Sequence, residues 1–261
     1  MHHIRLGQGR PLLLVHGLGG TWRSWRPVLD RLAAEREVIA VDLPGFGETP
    51  PPEEPISIPT LARAVSAFLD AEGLGGVDAA GSSMGARLVL ELARQGKLGA
   101  VVSLDPGGFW KGWERRFIHT SIAASVRLVR LLQPAMRGIT HSAAGRTMLF
   151  PQFSPRPWSL PADVLLKEMR SYAASPCFDA LLDSMVYGPE KQGASGLEGS
   201  LVIGWGRQDR ICLPRQATRA QAAFPNARLH WFESCGHFPH WDQPEECVRL
   251  VLDATRDTKH F

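Results

Sequence analysis

The chain has little cysteine, no long apolar run and no block of like charge. Its four cysteines, Cys177, Cys212, Cys235 and Cys247, are scattered with no C-x-x-C pair. A disulfide framework or a zinc site is therefore not expected. Leu12 to Val15 is an apolar run of strand length, far short of the roughly 20 residues that span a bilayer. The first residues, Met1-His2-His3-Ile4-Arg5, lack the apolar stretch of a secretory signal. The expectation is a cytoplasmic protein with no stable membrane insertion. His2-His3 has no further ligands near it in sequence and reads as surface. Lys and Arg number 29 against 26 Asp and Glu, a net charge of +3. With no basic stripe interleaved with aromatics, nucleic acid is not an expected partner.

What is present suits a large α/β domain with an insertion. The 261 residues are 44% hydrophobic, enough for a full core. Pro11 to Val15 and Val38 to Val41 read as buried strands. Trp22 to Ala34 between them has helical spacing. Thr49 to Pro59 is a proline-rich loop, and Pro59 opens a helix with Leu61, Val65, Phe68 and Leu69 on its buried face. Val77 to Ala80 and Ala100 to Leu104 are further strands, separated by a helical run from Ala86 to Ala93. From Phe109 to Gly196 the alternation stops, and helix formers are broken by prolines. It resumes with strands at Leu201–Gly204 and Ala227–Phe232, and helices at Arg215–Ala223 and Pro244–Thr255. Alternating strand and helix predict a mostly parallel sheet with helices on both faces. The division is a core of 1–108 and 197–261 with a mainly helical cap of 109–196. A segment inserted after a strand's C-terminal end lies over the crevice where open α/β sheets bind ligands.

Gly81-Ser82-Ser83-Met84-Gly85 fits Gly-x-Ser-x-Gly in the strand–turn–helix context that this motif requires. Only Ser83 has a glycine two residues away on each side, so Ser83, not Ser82, is the candidate nucleophile. A serine hydroxyl needs a base, and the base needs an orienting acid. Asp209 and His237 follow strand ends in the order Ser…Asp…His. Asp105, also at a strand end, is the rival acid, but it reads as capping the turn into the insertion. The glycine-rich His16-Gly17-Leu18-Gly19-Gly20 turn supplies the Leu18 amide, which with the Met84 amide would hold an oxyanion. His16 reads as a structural hydrogen-bonder. Cys235, two residues before His237, is either a reactive thiol or a small buried hydrophobe, and the second is the plainer reading.

These residues together resemble the α/β-hydrolase fold superfamily. The resemblance covers nearly the whole chain: Val15-His16-Gly17, Asp42-Leu43-Pro44-Gly45-Phe46-Gly47, the Ser83 turn, Gly206-x-x-Asp209, and Gly236-His237-Phe238-Pro239 leading to Gln243-Pro244-Glu245. Ala86 departs from it, standing where many relatives have another glycine. The resemblance implies an α/β-hydrolase fold and, with serine in place of the aspartate of epoxide hydrolases and haloalkane dehalogenases, acyl-transfer chemistry. The expected activity is carboxylesterase-type cleavage of a small or medium apolar acyl substrate, with no metal or organic cofactor. Cofactor-free C–C bond hydrolases of aromatic degradation also have Ser-Met-Gly elbows and a tryptophan shortly after the catalytic histidine, as Trp241 is here. Their usual asparagine before the serine is replaced by Ser82. A reading of another class is a ligand-binding or receptor-like protein on a hydrolase scaffold.

Phe109, Trp110, Phe153 and Trp158 from the cap, with Phe238, are candidate walls of an apolar acyl pocket. Trp113 and Phe150 belong to the same aromatic group. Ile118, Ile122, Val126 and Val129 recur at helical spacing, and Glu114 is the only acid from Lys111 to Arg156. This basic amphipathic helix would attract anionic acyl substrates or a lipid surface, or else simply pack on the core with solvated arginines.

Overall fold

The computed structural model describes residues 1–189, 191–194 and 199–256. Its first strands are β1 (His3–Leu6) and β2 (Pro11–Val15). A 3-10 turn, Trp22–Trp25, precedes α1 (Arg26–Ala33). The single helix expected from Trp22 is thus two pieces. Thr21 and Ser24 form a capping box on the first, and Pro27 stands in the first turn of the second, where its missing N–H is not needed. β3 (Glu37–Val41) follows, then α2 (Ile58–Ala71), whose Ser57 cap accepts from the Thr60 amide. Next come β4 (Val77–Ser82), α3 (Met84–Arg94) and β5 (Leu98–Leu104). The region without alternation contains α4 (Trp113–Leu131), α5 (Met136–His141), α6 (Ala143–Leu149), α7 (Ala162–Ala174) and α8 (Phe178–Tyr187). The expected end of this insertion, Gly196, lies outside the described residues, as do 257–261. The chain then gives β6 (Leu201–Gly206), α9 (Ala217–Ala223), β7 (Arg228–Phe232), α10 (Pro239–Asp242) and α11 (Pro244–Ala254).

The sheet runs β1-β3-β2-β4-β5-β6-β7. All pairs are parallel except β1 with β3. β1 has no signal in the sequence: it is four residues at an edge, with Arg5 and Leu6 exposed. Strand order reverses between β2 and β4, which pair directly from Leu12↔Asp78 to Val15↔Gly81. Their C-terminal ends therefore lie side by side at a topological switch point, the usual crevice for a ligand.

Side chains alternate across the strands, so the buried runs feed two apolar layers. Leu13, Val15, Ile39 and Val41 face α2, α3 and the insertion. Leu12, Leu14, Val38 and Ala40 face α1 and α11.

Buried polar links fasten the helices between β5 and β6 to the rest of the chain. Glu114 of α4 accepts from Arg215 Nε at 2.6 Å and from both Arg219 Nη atoms at 2.7 and 2.8 Å. The Arg219 hydrogen bonds dominate and hold the Glu114 carboxyl at about 2, against the opposing effect of burial. Glu168 of α7 accepts from Ser24 Oγ at 2.5 Å, and Ser24 O accepts from Trp241 Nε1 at 2.9 Å. One serine thus joins the insertion, the turn before α1, and α10.

Glu168 is 2% exposed. Burial pushes its carboxyl up to about 8, the Ser24 hydrogen bond opposes this, and Asp42 adds to it. The unfolded chain ionises this group in the ordinary carboxyl range, well below the folded value. Its contribution to stability is therefore complete at low pH and is lost as pH rises towards and through about 8. Glu168→Gln should remove this loss, which is on the order of a few kcal/mol. Thermal melts from pH 5 to 9 should show wild type losing melting temperature more steeply than the variant. Parallel curves would mean that the carboxyl is not held neutral.

Candidate active site

The turn from β4 to α3 is built by backbone approaching backbone. A Cβ on Gly81 would overlap the Gly85 carbonyl, and one on Gly85 would overlap the Val15 and His16 carbonyls. Ser83 itself has φ 56°, a left-handed conformation that costs a non-glycine residue energy. It is held there by its own backbone. Ser83 N donates to Leu104 O at 2.9 Å, and Ser83 O accepts from Arg87 N at 3.1 Å and Gly107 N at 3.3 Å. A Cβ on Gly17 would stand 3.3 Å from Ser83 Cβ, so the loop after β2 lies directly against the serine.

Three predicted side chains meet in one hydrogen-bonded row. Ser83 Oγ lies 2.8 Å from His237 Nε2, and His237 Nδ1 lies 2.8 Å from Asp209 Oδ2. The Ile211 and Cys212 amides donate to Asp209 Oδ1 at 2.7 and 3.0 Å, which fixes the carboxylate plane. His237 is 1% exposed and Asp209 2%. Asp209 sits beyond β6 and His237 beyond β7, so all three stand on the same edge of the sheet as the ends of β2 and β4. Among the described residues Asp105 makes no hydrogen bond to His237. It does not cap the turn ahead of it either: its Oδ1 accepts from Gly206 N at 2.8 Å, reaching sideways to β6. Ser82 is buried in β4, and its hydroxyl has no hydrogen-bond partner among the described residues.

The histidine loop has support that the sequence did not suggest. His237 N donates to Phe153 O at 2.9 Å, and a Cβ on Gly236 would overlap that same carbonyl. Asp242 accepts from Gly236 N at 2.7 Å and from Ser154 Oγ at 2.5 Å. Residues of the insertion therefore set the position of His237. No local pattern marks Asp242 for this task, because its partner Ser154 lies in a loop far away in sequence. His16 is structural: its Nδ1 lies 2.7 Å from Gly17 O, and its Nε2 accepts from Leu43 N at 3.0 Å. A ring whose Nε2 accepts from an amide is neutral, and burial lowers its pKa in the same sense.

An apolar cavity opens on Ser83 and His237. Its walls include Leu18, Ile122, Phe150, Phe153, Phe178 and Phe238. Ser125, Gln152 and Tyr172 are its other polar groups, and no Lys, Arg, Asp or Glu is among the described residues that line it. Of the aromatics expected there, Phe153, Phe150 and Phe238 line the cavity. Phe109, Trp110 and Trp158 do not. Phe109 and Trp110 are buried in packing elsewhere, with Lys191 over the Phe109 ring and Trp110 beside Gly107. Trp158 is half exposed.

Two groups of side chains come close enough to share a cation. Asp209, Cys212 and His237 form one, and His2, Asp42 and Glu48 the other. In the first, both Asp209 oxygens and both His237 nitrogens are engaged by protein partners, and burial raises the Cys212 thiol well above its ordinary value. In the second, Asp42 already accepts from Trp22 N, Glu48 N and His2.

The site at the switch point, with a serine in a strained strand-to-helix turn and a buried His–Asp pair, defines the class of fold. The model of the Alpha/beta hydrolase family matches residues 12–250, and the chain belongs to that family. It is 28% identical over 262 residues to 2-hydroxy-6-oxo-2,4-heptadienoate hydrolase of Pseudomonas putida, covering 95% of this chain and 90% of that one. Two solved structures share the fold. A thermophilic esterase from Thermogutta terrifontis has TM-score 0.73 and 20% identity, over 97% of this chain and 91% of that one. A meta-cleavage product hydrolase from Pseudomonas fluorescens IP01 has TM-score 0.72 and 21% identity, over 97% and 92%. No helix among the described residues is long and apolar enough to cross a membrane.

Cys235 is fully buried, and its thiol is raised by burial first and then by the nearby carboxylates Asp105, Asp242 and Asp209. Cys247 and Cys212 are buried and raised likewise, while Cys177 is partly exposed. A thiol-specific reagent should label Cys177 alone in the native protein and all four after denaturation. Rapid native labelling of Cys235, read by peptide mapping, would restore the reactive-thiol reading.

Proposed function

We propose that the protein is a serine hydrolase that cleaves an ester-type bond of a small or medium, neutral, apolar acyl compound. The observation that carries this reading is the Ser83–His237–Asp209 row opening on a cavity without a charged wall. In the neutral tautomer His237 Nδ1–H donates to Asp209, leaving Nε2 to accept the Ser83 hydroxyl proton. Ser83 Oγ attacks the acyl carbon as that proton moves to Nε2. Asp209 keeps the ring oriented and stabilises the imidazolium. The Leu18 and Met84 amides stabilise the oxyanion. Met84 is the first residue of α3, where an amide has no intrahelical acceptor. The imidazolium then protonates the leaving alkoxide, and His237 activates water to hydrolyse the acyl-enzyme.

The same reading treats residues 109–196 as a cap over a core of 1–108 and 197–261. The cap supplies Phe153, whose carbonyl holds His237 and whose ring lines the cavity. The polar organisation needs no metal or organic cofactor. A cytoplasmic location fits four free thiols.

One specific observation favours a second reading. The Pseudomonas putida relative is a 2-hydroxy-6-oxo-2,4-heptadienoate hydrolase, which makes a C–C hydrolase of a vinylogous diketone the nearest alternative. An anionic substrate of that kind calls for a cation in the cavity wall, and the described lining residues include no lysine or arginine. The uncharged wall supports the ester reading.

A p-nitrophenyl ester series from acetate to palmitate should be hydrolysed by wild type. Ser83→Ala should lower kcat by roughly a thousandfold or more without unfolding the protein. Folded wild type that turns over no ester but cleaves a vinylogous diketone would establish the second reading. Tight ligand retention without turnover would support a binding protein instead.

A further inference from the structure

Asp105 is buried beside the row and takes no part in it. It is 0% exposed and has φ 48°, another left-handed non-glycine residue. Its main chain is tied to β6, Asp105 N donating to Gly204 O at 2.8 Å. Its Oδ1 accepts from Gly206 N at 2.8 Å. Its Oδ2 is fully buried, and no donor among the described residues reaches it. An ionised carboxylate does not leave an oxygen bare in an apolar interior at small cost. Apart from the Gly206 amide, which favours the charged form, the groups that act on Asp105 make ionisation worse. They are the carboxylates of Asp209 and Asp242, with the Cys212, Cys235 and Cys247 thiols around them. His237 Nδ1 already serves Asp209.

A proton on Oδ2 resolves every part of this. Gly206 brings the two residues together: its N donates to Asp105 Oδ1 at 2.8 Å and its O accepts from Asp209 N at 3.2 Å, and the Asp209 charge acts on Asp105. Asp209 has room for one more donor, since Oδ1 takes two amides and Oδ2 takes only His237. We propose that Asp105 stands as a neutral carboxylic acid whose Oδ2–H donates to the Asp209 carboxylate, making it a positioning residue for the catalytic acid. The inference rests on the serine-hydrolase reading of Ser83, His237 and Asp209.

The two carboxyl groups then carry one negative charge between them. Burial, followed by the Asp209 charge, pushes Asp105 well above the usual carboxylate range, in the direction this arrangement needs. The donated hydrogen bond stabilises ionised Asp209. It therefore disfavours transfer of the Nδ1 proton to Asp209 when His237 becomes an imidazolium.

The test compares wild type, Asp105→Asn and Asp105→Ala. Asparagine can still accept from Gly206 N and donate through Nδ2 to Asp209. Its kcat/KM–pH profile should keep the wild-type acid limb within about 0.3 units. Alanine removes the donor, and kcat/KM should fall about tenfold, with asparagine restoring it. An ionised Asp105 predicts otherwise. Asparagine would then remove a buried negative charge near His237 and lower the acid limb by about one unit or more. Infrared difference spectra at neutral pH give a reading independent of activity. A protonated-carboxyl C=O band present in wild type should be missing from Asp105→Asn, and a spectrum without that loss overturns the proposal. A wild type that hydrolyses no ester would sink the serine-hydrolase reading, yet the infrared band would still decide the state of Asp105. Should the alanine variant fail to fold, the asparagine comparison and the infrared band remain decisive.

Discussion

Everything at the edge of this sheet depends on how closely β4, its turn and α3 approach β2. Gly81 and Gly85 face carbonyl groups with no room for a side chain. Because of that approach, Ser83 stands at φ 56° with its backbone engaged on both sides and its hydroxyl free to face His237. A wider turn would carry the hydroxyl away from the histidine and lift the start of α3 off the loop after β2. The strain at Ser83 is local, set between a buried strand and a buried helix. β4 is buried along its whole length, and α3 is buried over nearly all of its surface.

The row of Ser83, His237 and Asp209 is in turn assembled from separate strand ends. No two of the three residues share an element, so their alignment depends on strand register. β4, β5, β6 and β7 are parallel and paired in order, which brings their C-terminal ends to one edge. The chain between β5 and β6 then adds its own contacts to the site. Phe153 and Ser154 hold the loop of His237 through its amide and through Asp242. The histidine thus belongs structurally to both parts of the molecule.

Much of this was legible in the sequence because short-range signals carried it. Aliphatic runs such as Leu12–Val15 and Val38–Val41 can only be buried strands, and Gly-x-Ser-x-Gly between strand and helix has a steric meaning. What was illegible depends on contacts distant along the chain. β1 is four residues whose only signal is its pairing with β3. Asp242 serves a glycine six residues away and a serine of the insertion. The aromatics Phe109, Trp110 and Trp158 look like Phe153 in composition. Which ones reach the cavity is decided by the fold of the insertion, where Phe109 and Trp110 turn into packing and Trp158 outwards. Asp105 and Asp209 both follow strands, and only their geometry distinguishes the partner of His237 from its neighbour.

β5 and β6 pair residue for residue from Val101↔Leu201 to Leu104↔Gly204, although the whole helical insertion lies between them. Closing a chain segment costs entropy that grows only with the logarithm of its length. Stretching an ordinary crossover to roughly a hundred residues adds about 1 kcal/mol. The sheet is thus nearly indifferent to how much chain departs from the end of β5, provided that it returns in register. Over evolution such a joint lets the insertion drift, lengthen or be exchanged, while the strands beneath keep Ser83, Asp209 and His237 in line. The same joint has a kinetic cost: β6 and β7 must find β5 across a long excursion, and non-local pairing of that kind is slow to form.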